Sequence, residues 1–165
     1  MEALRGGPIV VDEATHRLEH SIEVQLPFLQ LVAPGVPVAM LTVGFADLPT
    51  LLAVGERVRS AVSGRPTLLI ASTDFSHYVP AEVARKLDAR AVGAILRGDP
   101  RELYEVVERD RISMCGIAPT TVLLAALRGE SLRTLDLGWG HSGEVEPMRT
   151  VVGYDALVLE RAAAA

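Results

Sequence analysis

Two short apolar runs, "PVAMLTVG" (37–44) and "PTLLIAST" (66–73), constrain this chain more than any other feature. Both lack charged residues, and proline or glycine stands at their borders. A strand with one wet face alternates apolar and polar residues, whereas a strand buried on both faces does not. Between the runs, "DLPTLLAVGERVRSAVSG" (47–64) sets Leu51, Val54, Val58 and Val62 at helical spacing, with Asp47 as a cap and Gly64 as a stop. Strand, helix and strand in this order predict an α/β fold. The expected architecture is a three-layer sandwich, with a mostly parallel or mixed central sheet flanked by helices.

The remaining segments extend the pattern. "PAEVARKLDARAVGAILRG" (80–98) and "DPRELYEVVERD" (99–110) read as helices, the second with Asp99 and Pro100 in the cap and first-turn positions. "APTTVLLAALRG" (118–129) reads as a helix ending at Gly129, and "SLRTLDLGWG" (131–140) and "VVGYDALVLE" (151–160) read as late strands. "EHSIEVQLPFLQLV" (19–32) fits helical and alternating patterns alike. Its length favours a buried helix, which Pro27 either kinks or starts.

No repeat and no long linker divides the 165 residues, so a single domain over 1–165 is expected. A net charge of -5 with mixed signs argues against nucleic-acid partners. Nothing resembles a membrane span or a secretory leader. The single cysteine, Cys115, cannot form an internal disulfide, which suits a reducing cytoplasm.

Polar clusters stand at the ends of these elements. "TDFSH" brings Asp74, Ser76 and His77 to the end of the second apolar run, where open α/β sheets assemble their sites. An aspartate beside an imidazole can orient it and fix its tautomer, for a base or a metal ligand alike. The plainer alternative makes Asp74 a turn cap and His77 a partly exposed surface residue. "EHS" presents Glu19 and His20, and His16 lies four residues earlier, one helical turn away. A lone histidine there is more often a packing residue, and "HRLEH" does not match the zinc-protease motif. "SMCGIAP" sets Cys115 before a helix, whose N-terminus favours a thiolate, although a single buried cysteine is usually a small hydrophobe. "GWGHSGE" carries His141 in a glycine-rich loop that is either an ordinary turn or another wall of a pocket. Imidazole, carboxylate and thiolate together suit zinc, iron or copper.

The blocks "EHSIEVQLPFLQ", "STDFSHY", "CGIAPTTVLL" and "GHSGEV" followed by "VGYDALVL" resemble the Memo-like family, whose bacterial members are named AmmeMemoRadiSam system protein B. That family resembles the catalytic subunits of class III extradiol dioxygenases, non-haem iron enzymes with a helix-flanked α/β sheet. The resemblance implies that His20 and Cys115 are metal ligands and that Asp74 and His77 line the same pocket as catalytic residues, with His77 available as a third ligand. Glu19, Ser76, His16 and His141 form a second tier. Iron or copper is the implied cofactor, with zinc as a further option.

Longer family members also carry a ligand histidine in an "HAGY"-like block, which this chain lacks. The chain is therefore expected to be shortened at its N-terminus, to hold metal weakly, and to form homo-oligomers through a bare sheet edge. Three functions follow from the resemblance. The first is a metal-binding protein with redox activity or an accessory role beside a radical-SAM enzyme. The second is a non-catalytic module binding a peptide or small ligand in the same pocket. The third, ring cleavage as in the extradiol dioxygenases, fits poorly, because those enzymes favour two histidines and a carboxylate over a cysteine.

Overall fold

The computed structural model of the protein describes residues 4–162. A short 3-10 turn, Glu23–Gln25, leads into helix α1 (Leu26–Val32). Helices α2 (Leu48–Val62), α3 (Ala81–Leu96), α4 (Pro100–Asp110) and α5 (Ile117–Ala126) follow, interrupted by the short strand β1 (His77–Val79). Strands β2 (Leu132–His141) and β3 (Val151–Arg161) complete the order. The result is a mixed α/β fold.

Local chemistry sets most boundaries. The Asp47 carboxylate accepts the Thr50 N–H at 3.0 Å to start α2, and Asp99 accepts the Arg101 and Glu102 N–H groups at 2.8 and 3.3 Å to start α4. Proline occupies the first turn of both helices, where its missing N–H costs nothing. Pro27 likewise marks the first turn of α1 rather than a kink. The buried helix expected over 19–32 is thus shorter than predicted, and it is exposed: Phe28, Leu31 and Val32 face solvent.

Two apolar clusters share α5 as a common wall. One joins α3 and α4 to Phe75, Met114 and Leu124, with Leu157 and Leu159 of β3 packed against it. The other joins Leu51, Val54 and Val58 of α2 to Ala118 and Val122 of α5. Gly55 makes that second contact possible, because a Cβ there would meet the Val122 carbonyl at 2.8 Å and run into the Ala125 side chain.

The expected mostly parallel or mixed sheet is not what the described residues form. They build a three-stranded sheet in the order β1-β3-β2, antiparallel throughout. Residues 37–44 and 66–73 run without a place in any ladder, and Val38, Met40, Leu68 and Ile70 are exposed. Leu41, Val43 and Leu69 do pack against the α2–α5 cluster. The runs therefore sit against helices on one face, while their other face and their edges lack strand neighbours among the described residues. An apolar strand needs hydrogen-bonded neighbours as well as helices, and composition alone does not supply them. Among the described residues, no helix is long and apolar enough to cross a membrane.

Candidate metal centre

The site forms where the end of the 66–73 run meets the loop before α5. Phe75, 1 % exposed, and the fully buried Ser76 anchor the chain in the core, and the partly exposed Asp74 and His77 flank the pair. Backbone pairing holds the same residues to β3: the Phe75 N–H donates to the Gly153 carbonyl and the Gly153 N–H donates to the Ser76 carbonyl, each at 2.9 Å. The register then slips between His77 and Val79, where Tyr78 takes a left-handed φ of 57°. Such a bulge turns the side chains before it out of the regular pleat, and a non-glycine residue there marks local strain.

The Asp74, His77 and Cys115 ligand atoms all lie within 4.8 Å of one another. His77 Nε2 stands 3.7 Å from Asp74 Oδ2. On the other side of the ring, Nδ1 lies 2.6 Å from the Ser113 carbonyl. A carbonyl can only accept, so Nδ1 carries a proton, and in the neutral ring that leaves the Nε2 lone pair facing the cluster. That is the orientation a metal-bound histidine adopts, with its second nitrogen tied to an acceptor. Cys115 Sγ accepts the Asp74 backbone N–H at 3.2 Å. The loop is laced to the strand by two further bonds: the His77 N–H donates to Ser113 Oγ at 2.7 Å, and the Gly116 N–H donates to Thr73 Oγ1 at 2.9 Å. Gly116 is required at that contact, since a Cβ would strike Thr73.

This donor set fits a transition metal. Ligand atoms around a tetrahedral ion with bonds of 2.0–2.3 Å sit roughly 3.5 Å apart, and the Asp74–His77 separation of 3.7 Å is close to that edge. Nitrogen, carboxylate oxygen and thiolate sulfur suit zinc, iron or copper rather than calcium or magnesium. Cys115 is exposed and unbonded to another sulfur, so it is free to ligate.

The other expected residues lie differently. His20 is exposed in the turn before α1 and does not belong to the group of three. Its segment nevertheless touches the 66–73 run that leads into the site, because Gln25 Nε2 donates to Ser72 Oγ at 3.1 Å. Glu19 accepts the Ser21 N–H at 2.7 Å, and hydrogen bonds from Ser21 hold its carboxyl below the usual range. His16 pairs with Thr42 Oγ1 at 3.3 Å. His141 forms a separate pair: its Nδ1 accepts the Gly143 N–H at 3.1 Å and its Nε2 lies 3.8 Å from Glu144. Ser76 is fully buried and its hydroxyl has no partner among the described residues.

One positioning residue escaped the sequence reading. Asp88 of α3, with 0 % exposure, accepts the Ser76 N–H at 2.9 Å and the Trp139 indole N–H at 2.8 Å. It thereby pins the backbone midway between Asp74 and His77. The signal was present: Ala84, Asp88, Ala91, Val92 and Ile95 share the buried face of one helix, and a carboxylate in such a stripe needs a buried donor.

A family model described as Memo-like protein matches residues 3–158. A MEMO1 family protein of Methanosarcina barkeri is 40% identical over 164 residues, covering 96% of this chain and 62% of that protein. Another, from Methanopyrus kandleri, is 42% identical over 159 residues, covering 91% of this chain and 55% of that protein. A third, from Methanocaldococcus jannaschii, is 37% identical over 162 residues. The chain thus spans between about half and two thirds of the length of the curated relatives it matches.

Proposed function

The chain belongs to the Memo-like family, and from that premise we propose that it is a metal-binding protein whose centre holds iron or copper, with zinc as the redox-silent alternative. The observation that carries this reading is the convergence of Asp74, His77 and Cys115 from two segments into one ligand group. His20 completes the set in this proposal, swinging in on the segment that Gln25 already ties to Ser72. The three groups already gathered match the number usual for a catalytic metal, and His20 takes the fourth position.

A redox-active iron or copper would supply one-electron chemistry when bound. The chain's own residues do the positioning. The Ser113 carbonyl fixes the His77 tautomer, the Asp74 N–H stabilises negative charge on Cys115 Sγ, and the Asp74 carboxylate offsets the charge of the ion. An accessory role beside a radical-SAM enzyme and the sandwich architecture of the extradiol dioxygenases belong to the same proposal, supported by the family resemblance. A cytoplasmic setting suits it too, because a thiolate ligand must stay reduced.

The test is elemental analysis of untagged protein, then titration with Fe(II), Cu(I) and Zn(II), comparing the native chain with Cys115→Ser and His77→Ala. Each variant should bind at least tenfold more weakly. Identical titration curves for the native chain and both variants would remove the metal reading altogether.

A further inference from the structure

Away from the metal centre, the 66–73 run and β3 diverge from their shared bonds at Phe75, Ser76 and Gly153 and leave a slot of about 540 Å³. Its floor is apolar, with Leu123 of α5 and Leu157 and Leu159 of β3. Leu68 and Ile70 line the opposite wall while 76% and 50% exposed. A volume of this size matches ligand cavities, and apolar side chains left open beside it mark an interaction surface.

Both walls are extended backbone, and beyond its short pairing with β1 at Val151 and Val152 one side of β3 has no strand neighbour among the described residues. The Gly153 N–H donates to the Ser76 carbonyl just before β1, whereas the Ala162 N–H donates to the Ser131 carbonyl on the β2 side. Alternation along the strand therefore turns the N–H and C=O groups of Asp155, Leu157 and Leu159 towards the slot. Two buried polar atoms also lack partners there among the described residues: Asp155 Oδ1 and the hydroxyl of Thr120, a residue 5 % exposed. Asp155 lies near the closed end, across the hairpin from Asp136, while Arg65 and Arg161 flank the open end, Arg161 also reaching Glu130 at 3.1 Å. The slot is thus acidic inside, apolar along its middle and basic at its mouth.

We propose that this slot binds an extended peptide segment of a partner protein as an added strand, with a basic side chain at Asp155, apolar residues over Leu157 and Leu159, and an acidic group at Arg65 and Arg161. Backbone pairing to the β3 edge supplies affinity and the charges set direction, as in other strand-addition interfaces. Seven residues at about 3.3 Å each cover β3 from Asp155 to Arg161. A basic group at the inner end meets the unpartnered Asp155 oxygen and relieves the repulsion between Asp155 and Asp136. The inference is independent of the metal reading, since no metal ligand lines the slot.

The probe is a fluorescein-labelled peptide of about seven residues, with lysine at one end, alternating valine and threonine in the middle and glutamate at the other. It is titrated into the full chain by anisotropy and followed by amide hydrogen exchange. Saturable binding is expected, with slowed exchange at Leu157 and Leu159. Asp155→Asn should weaken the lysine peptide at least tenfold and leave a norleucine-substituted peptide almost unchanged, a difference that general misfolding cannot produce. Four outcomes overturn the proposal. These are no saturation by about 1 mM, undiminished binding of a peptide N-methylated at alternate residues, equal competition by a simple alkylamine, and the same amide protection in peptide-free protein that sediments as a dimer, which would give the slot to a second copy.

Discussion

Replacing Asp88 by alanine should unfold the protein's site before it touches a single ligand. The side chain is fully buried, and its two oxygens serve the Ser76 N–H at 2.9 Å and the Trp139 indole at 2.8 Å. Removing it strands both donors. A buried donor without a partner costs about 1–3 kcal/mol. The Ser76 N–H is sealed in the interior and contributes about 2 kcal/mol, while half-buried Trp139 can turn to water and contributes about 1 kcal/mol. The expected loss is about 3 kcal/mol, a large share of the 5–15 kcal/mol typical of a folded domain. With a urea m-value of roughly 2 kcal/mol/M, the unfolding midpoint falls by about 1.5 M. The emission of Trp139, the single tryptophan of the chain, reports the lost bond directly. Asp88→Asn keeps one acceptor and should lose about half as much. Because Ser76 lies between Asp74 and His77, Co(II) affinity of the folded Asp88→Asn variant should also drop roughly tenfold. A midpoint shift under about 0.5 M for Asp88→Ala, with unchanged tryptophan emission, would refute the argument that this carboxylate holds the site strand.

Further outcomes follow from the same geometry. Gly153→Ala drives a Cβ into the Asp88 carboxylate and within 3.4 Å of the Trp139 nitrogen, so overpacking should cost about 2 kcal/mol by chemical denaturation; a neutral result would mean that the hairpin yields there freely. Burial and the adjacent Asp136 push the Asp155 carboxyl up to about 6, from an ordinary value of 3.8 in the unfolded chain. The folded state therefore holds more protons between those values, and stability falls as pH rises through that window. Since water reaches the group, the effect is about 1 kcal/mol, well below the full value of the shift; Asp155→Asn should recover it at pH 8 and flatten the profile between pH 4 and 6, and an unchanged profile would contradict the assignment. Asp99→Ala removes the cap of α4 and should lower stability by about 1 kcal/mol, read from the urea midpoint, whereas Asp99→Ser should restore most of it.

The chain's own order of residues determined what is settled within a few positions. Asp47 and Asp99 start their helices because a carboxylate reaches an N–H two or three residues on. Gly129, expected to end a helix, instead stands in the turn after α5 ends at Ala126, where its φ of 87° suits glycine. The strands over 132–141 and 151–161 were legible from composition and length. So were the site residues of "TDFSH" and the loop position of Cys115, as residue types at element ends. Only the tertiary structure decided which of them meet. Asp74 and Cys115 lie 41 positions apart, and their contact depends on Phe75 entering the core and on Gly116 passing Thr73 without a Cβ. Asp88 could be seen as a misplaced carboxylate on an apolar helix face, but its donors, Ser76 and Trp139, come from 12 positions before and 51 after it. The runs at 37–44 and 66–73 show the other side of the same rule. Their apolar content announced burial, yet a strand is completed by neighbours across the sheet. A sequence pattern can state that an edge needs a partner, while long-range packing determines which partner, if any, it meets.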